Sequence, residues 1–390
     1  MNKPAIAPAY DNTAIDIRPV QSPADRKAFI RLSAGIYKGD PNFIAPLEFE
    51  IGARLDPNKN PAIKNSPHKL WIAYKNGAPA GRISAIVNKA HLERHQDGAG
   101  HFGFFECIDD QAVAKALLDT AGGWLKSQGM QKIAGPFSFS VNEEIGMLVD
   151  GFDTPPYIMM PHGKPYYPGM LEAFGYTKAI DVFAFCYLPE DGFIPDKRLR
   201  FIEKALSNPK VSFRTLNMAE FKRDIQRVVD IFNDAWFDNW GFVPFTSEQV
   251  EHMANELRPI LSPYNVVICE YDGEPAAFGL VLPDINHAIR DFGGKLLPFN
   301  WAKLIWRLKF RTIPRARMPL MGVVRKLHRR PVGTALAYKI IDMVRTANLE
   351  RGVTHSELSW ILESNESMVS MLEDLGGKRY KTYRIYEKAL

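Results

Sequence analysis

Only three cysteines occur in the 390 residues, Cys107, Cys186 and Cys269, and they lie too far apart for a CxxC pair or a zinc spacing. That sets aside a disulfide-stapled secreted domain, and no metal site is visible elsewhere. The expectation is reduced, buried thiols in a cytoplasmic protein. No stretch approaches the roughly 18 uninterrupted apolar residues of a membrane span. Residues 1–13, Pro/Ala-rich and polar, have no apolar run of signal-peptide length and read as a flexible tail. Acids are scarce in one place. From Arg290 to Arg330 twelve Lys or Arg stand against a single acid, Asp291, while the rest holds 37 basic and 43 acidic residues. The net charge of +5 therefore belongs to one segment, as a local site property.

What is present is a globular composition, 46% hydrophobic and 24% charged, at a length that suits two domains. The first half reads as a strand (14–18), a helix (24–32) and a hairpin (69–74 and 80–87) turning at Asn76-Gly77, a strong short-range hairpin signal. A strand (101–106), a helix (111–128), a strand (132–137), a helix (167–174) ended by Gly175, and a strand (177–187) follow. The second half repeats this order: strand (212–216), helix (221–232), a hairpin (266–271 and 276–282) turning at Asp272-Gly273, strand (318–324), helix (334–350), strand (354–360), helix (367–375) and strand (380–387). Asn76-Gly77-Ala78-Pro79-Ala80 matches Asp272-Gly273-Glu274-Pro275-Ala276, and the turn-to-cap glycine spacing is 98 residues in one half and 103 in the other. A Pro/Asp/Gly-rich linker is expected over 189–195, between domains spanning 14–190 and 196–390.

In the second half Val324 ends a strand, and Arg330-Pro331-Val332-Gly333-Thr334-Ala335 opens a helix. A helix N-terminus offers unpaired N–H groups and partial positive charge, and a glycine there lets an anion approach. Arg325, Lys326, Arg329 and Arg330 add charge; the same string also fits a strand–helix turn with a solvated basic face. This loop resembles motif A of the GNAT (Gcn5-related N-acetyltransferase) superfamily, and the run from Asn365 to Gly376 resembles its motif B. The resemblance implies an α/β protein of two tandem GNAT folds, each a mixed twisted sheet flanked by helices. It implies acyl-CoA as substrate, held by Val324, Arg325, Arg329, Arg330, Val332, Gly333, Thr334, Ala335 and Asn365. Two departures stand out: Leu372 occupies the place of a frequent motif B tyrosine, and residues 318–324 contain no acid. The first half looks like a GNAT domain without its cofactor site, since Glu106-Cys107-Ile108-Asp109-Asp110 would repel a pyrophosphate. Its expected role is to shape the acceptor pocket.

An insertion over 287–317 is basic and aromatic, and Leu297, Trp301, Leu304 and Leu308 make an apolar helix stripe. The pattern fits an interfacial helix touching an anionic membrane through 295–317, and equally a helix packed on the fold with its bases toward CoA. No nucleic-acid recognition motif is present, which speaks against nucleic acid. Amine acylation needs a proton acceptor. Glu143, Glu144, His162 and Asp238 are the candidates, with Asp284 and His287 behind them; for each, a plain structural role is the competing reading. The runs 146–156 and 232–244, with the tandem layout and basic insertion, resemble a bacterial GNAT-type ceramide synthase group. This implies N-acylation of a long-chain sphingoid base, at the inner membrane face. A Fem-like aminoacyltransferase using charged tRNA and a non-catalytic CoA- or lipid-binding protein are the alternatives.

Overall fold

A computed structural model describes residues 15–188 and 194–390; the tail read over 1–13 and most of the linker read over 189–195 lie outside the described residues. Thirteen strands form one sheet: β1 (Ile15–Pro19), β2 (His68–Lys75), β3 (Ala78–Ile86), β4 (Ala99–Cys107), β5 (Lys132–Gly135), β6 (Met147–Asp150), β7 (Thr177–Tyr187), β8 (Val211–Thr215), β9 (Val266–Tyr271), β10 (Glu274–Pro283), β11 (Arg315–Val323), β12 (His355–Leu362) and β13 (Lys378–Ala389). Across the sheet the order is β1-β2-β3-β4-β5-β13-β7-β12-β11-β10-β9-β8, with β6 paired to β13. β4–β5 and β11–β12 are parallel, and the other pairs are antiparallel.

The order contains the repeat and one exchange. β1–β5 and β8–β12 run inward from opposite edges, as two copies of one plan. At the centre each half's last strand has crossed over: β13 pairs with β5, and β7 pairs with β12. The two exchanged strands also pair with each other, from Lys378 opposite Cys186 to Glu387 opposite Thr177.

Local chemistry explains the elements. Both hairpin turns place their two central residues in the left-handed region, Asn76 and Gly77 at φ 53° and 76°, Asp272 and Gly273 at 58° and 79°, which suits Asn, Asp and Gly. The helix Pro23–Ile36 starts with a capping box between Ser22 and Asp25. Central strands are buried on both faces, so their hydropathy does not alternate. On β2, Leu70 and Ile72 join Phe29 and Leu32 of that helix, while Trp71 and Ala73 join Leu117 and Ala121 of the helix Gln111–Ser127 on the opposite face.

The insertion departs from its expected form. β11 begins at Arg315, so residues 315–317 belong to the sheet, where the Arg317 side chain is buried. The helix Asn300–Phe310 turns Leu304 and Leu308 inward, but Leu297 and Trp301 of the expected stripe are exposed.

The exchange predicts that the halves unfold together. Phe185, fully buried on β7, packs into the second half's core. Phe185→Ala should lower the stability of a single denaturation transition by roughly 3–5 kcal/mol. Two separate transitions, one of them unmoved, would contradict the coupling.

Candidate functional site

β11 and β12 pair only from Arg315–His355 to Met318–Leu358 and then part. The cause lies in β11. Two steps along β10, Leu280 to Leu282, face three along β11, Leu320 to Arg317, so β11 bulges at Met318 and Pro319, and Pro319 has no N–H to donate. The parted strands open a cleft of about 670 Å³, bordered by Trp236, Gly322, His328, Arg329, Trp360 and Asn365. Beneath it a narrow apolar pocket of about 80 Å³ shares Met318, Ile341, Leu358 and Leu372 with the cleft.

The helix Pro331–Leu349 starts at the cleft with no side chain capping its N-terminus. Among the described residues, Lys326, Arg329 and Arg330 have no acidic partner, and Arg329 adopts the left-handed region at φ 59°. The corresponding helix of the first half is closed to anions. Asp110 accepts from the N–H groups of Ala112 and Val113 and is paired with Lys75.

Several loop residues do other work than the sequence suggested. Gly333 is needed because a Cβ there would lie 2.1 Å from the Leu327 carbonyl oxygen, a packing reason independent of any anion. The Val324 N–H donates to the Ala276 carbonyl, and the Arg325 N–H to Asp234, so neither is free to polarise a carbonyl. Strand alternation instead turns the N–H groups of Met321 and Val323 away from β10, toward the opening. Ala335 is fully buried in the core, Val332 is half-buried against it, and the Asn365 side chain caps its own helix. Thr334 and Arg329 line the cleft directly.

A second chamber of about 570 Å³ lies over the parting of β4 and β5, walled mainly by the first half and closed by second-half residues such as Glu256, Ile260, Leu282 and Ile289. Glu144 and His162 both line it, and Glu143 lines an adjoining pocket that shares Glu50, Glu144, Met159 and Glu256. Asp238 stands apart, exposed at the β11–β12 cleft near Arg325. His162 is buried with Nε2 3.2 Å from the Asp40 carboxylate, so Nε2–H donates and Nδ1 is an acceptor without a partner. Burial lowers its pKa, which keeps the ring neutral near pH 7. Glu144 is ion-paired to Arg54 at 2.8 Å. Glu143 accepts from Asn60 through one oxygen while Oε2 is buried without a partner, and burial pushes its carboxyl up to about 7. Asp284, fully buried against Arg315 and the Ile158 N–H, is pushed up to about 6 by burial.

A buried polar set that the sequence reading missed separates the two cavities. Arg317 donates to the Ile158 carbonyl of the chamber wall at 3.0 Å, and to Ser359 Oγ and O at 2.8 and 3.1 Å on the cleft side. Glu357, with no exposed surface, accepts from Ser359 and Tyr380 and lies 3.5 Å from Arg317. Part of the signal was legible: β12 carries a single acid, Glu357, and β11 carries Arg315 and Arg317, and charges inside strands imply a buried pair.

No family model matches the chain. Protein YghO of Escherichia coli (strain K12) is 42% identical over 366 residues, covering 94% of this chain and 93% of that protein. A bacterial ceramide synthase of Caulobacter vibrioides is 40% identical over 384 residues, 98% of this chain and all of that one. The chain belongs to one family with these two proteins. Solved structures agree in fold: a tandem GNAT protein from the clavulanic acid biosynthesis pathway (TM-score 0.55, 12% identity, 96% of this chain and 98% of that chain) and a GCN5-related N-acetyltransferase from Sphaerobacter thermophilus (0.52, 13%, 96% and 95%). In this tandem GNAT fold, no three His, Cys, Asp or Glu side chains among the described residues gather into a metal-holding group.

The raised Glu143 carboxyl has a pH signature. In the unfolded chain it ionises near its ordinary 4.5, but in the fold only near 7, so the fold holds an extra proton between the two values. Stability from this group therefore falls as pH rises from about 4.5 to about 7. Glu143→Gln should be more stable than the parent by roughly 1–3 kcal/mol at pH 8 and gain nothing at pH 4. Equal denaturation midpoints at both pH values would show an ionised Glu143 in the fold.

Proposed function

We propose that the protein is an acyl-CoA-dependent N-acyltransferase whose acceptor is a long-chain lipid amine of the sphingoid-base kind. The observation that carries this is the parted β11–β12 cleft, ending at an uncapped helix N-terminus among unpaired basic side chains. Such a terminus takes phosphate, and the cleft leads a thioester toward the freed strand edge. The N–H groups of Met321 and Val323 would polarise the acyl carbonyl there. Met318, Ile341, Leu358 and Leu372, shared by the cleft and the pocket beneath it, offer an acyl chain an apolar wall. The amine attacks the thioester carbonyl, the C–N bond forms as the C–S bond breaks, and CoA leaves as the thiol.

The acceptor is assigned to the first-half domain, with Glu143, Glu144 and His162 as its proton-handling groups and Asp238 on the donor side. The similarity to a protein named bacterial ceramide synthase, over almost the whole length of both, supports the lipid amine. No helix among the described residues is long and apolar enough to cross a membrane. In this reading the lipid is reached by peripheral contact of residues 295–317, rich in exposed aromatic and basic side chains, with an anionic surface on the cytoplasmic side.

Calorimetry against CoA, acetyl-CoA and palmitoyl-CoA tests the donor site. Palmitoyl-CoA should bind most tightly, and Arg329→Glu with Arg330→Glu should weaken it at least tenfold without loss of fold. If no CoA species binds, the cleft serves another ligand.

A further inference from the structure

The chamber over β4 and β5 differs in chemistry from the β11–β12 cleft. Most of its wall is apolar, including Phe43, Phe104, Met160, Ile260 and Ile289. Its ionisable lining carries more acid than base: Glu106 pairs with Arg82, Glu50 and Glu144 share the single Arg54 behind them, and Glu256 adds a further carboxylate beside the Asp40-bonded His162. Phosphates are disfavoured beside that set, and a cation is favoured. The buried His162 Nδ1, without a partner, waits for a donor such as an amine or hydroxyl. A volume of about 570 Å³ is in the range that buries a small amphipathic ligand.

One wall is unusual. Leu304 and Leu308 of the helix Asn300–Phe310 line the chamber, as does Phe49, which is 61% exposed. The rest of that helix faces outward with Ile305, Trp306 and Phe310 uncovered, Phe310 at 72%. Of the eleven large hydrophobic side chains exposed among the described residues, six lie within 297–310. Lys295, Lys309 and Arg311 are exposed around them, and Arg311 lies over the Trp306 ring. Aromatic and basic side chains together are the composition of helices that settle among anionic headgroups.

We propose that this chamber binds the alkyl chain of a single-chain lipid amine, which enters from an anionic bilayer past Phe49, Leu304 and Leu308. The inference rests on the acceptor assignment above and adds the cavity, the route and the source. The chain lies along the apolar wall, and the ammonium end meets the carboxylates and His162. Each methylene buried tightens binding roughly fourfold. Affinity therefore climbs with chain length until the chamber is full.

The test is photolabelling of the full-length protein with a diazirine-bearing octadecylamine, in vesicles of phosphatidylcholine and phosphatidylglycerol, with the label mapped by mass spectrometry. Labelling should fall on peptides carrying Met160 and Leu308, and octadecylamine should compete far better than hexylamine. Met160→Trp, which fills the chamber, should cut labelling at least tenfold; Ile260→Trp serves if that variant does not fold. Ile305→Glu with Trp306→Glu should reduce labelling from vesicles and leave labelling from detergent micelles unchanged. Label confined to the outer surface of 297–310, or lying in the β11–β12 cleft, overturns the proposal, as does indifference to both filling variants. Acyl transfer is not read in this experiment. Chamber labelling in a protein that fails to bind palmitoyl-CoA would sustain the chamber and remove the donor reading.

Discussion

The exchange of β7 and β13 is the constraint on which the rest of the structure depends. A sheet edge with unpaired N–H and C=O groups is a liability, and each half alone would end its sheet at such an edge. Here β5 is completed by β13 and β12 by β7, while the two exchanged strands pair with each other. The two cavities therefore share one continuous sheet. The β12 strand, which walls the β11–β12 cleft, is held on its other side by a strand of the first half.

The same frame explains the polar septum. β11, β12 and β13 bring Arg317, Glu357 and Tyr380 into one buried set, and the Arg317 guanidinium reaches the chain of the first half at Ile158. A buried ion pair contributes little net stability, but breaking it leaves an uncompensated charge. Its effect is positional. It ties the base of the cleft, where β11 leaves β12, to the wall of the chamber.

Much of this was legible in the residues. Asn76-Gly77 and Asp272-Gly273 specified both turns because only such residues sit easily at positive φ, and Gly175 and Gly376 mark their helix ends at φ 81° and 82°. The basic loop and the start of the following helix also stood out. The exchange did not, because the pattern of a strand fixes which face is buried and leaves the partner open. Glu357 and Arg317 were hidden for a related reason: each sits among other polar residues at the start of its strand, and the meaning comes from their meeting across β11 and β12. The helix Ser247–Leu257 went unread despite its Thr246–Gln249 capping box. In the insertion, the periodicity identified the helix but not its orientation. Leu304 and Leu308 point inward as a stripe should, yet Trp301 and Leu297 stay exposed, against the preference for burying large apolar side chains.

The central claim is that one frame holds a thioester donor and a lipid amine for direct transfer. The most direct measurement supplies the protein with palmitoyl-CoA labelled in the acyl group and sphinganine in anionic vesicles, then separates the lipids. The account predicts that the label appears in an amide of the long-chain amine, with an equivalent release of CoA thiol. Label left in the thioester, or found only as free palmitate while palmitoyl-CoA demonstrably binds, would contradict it.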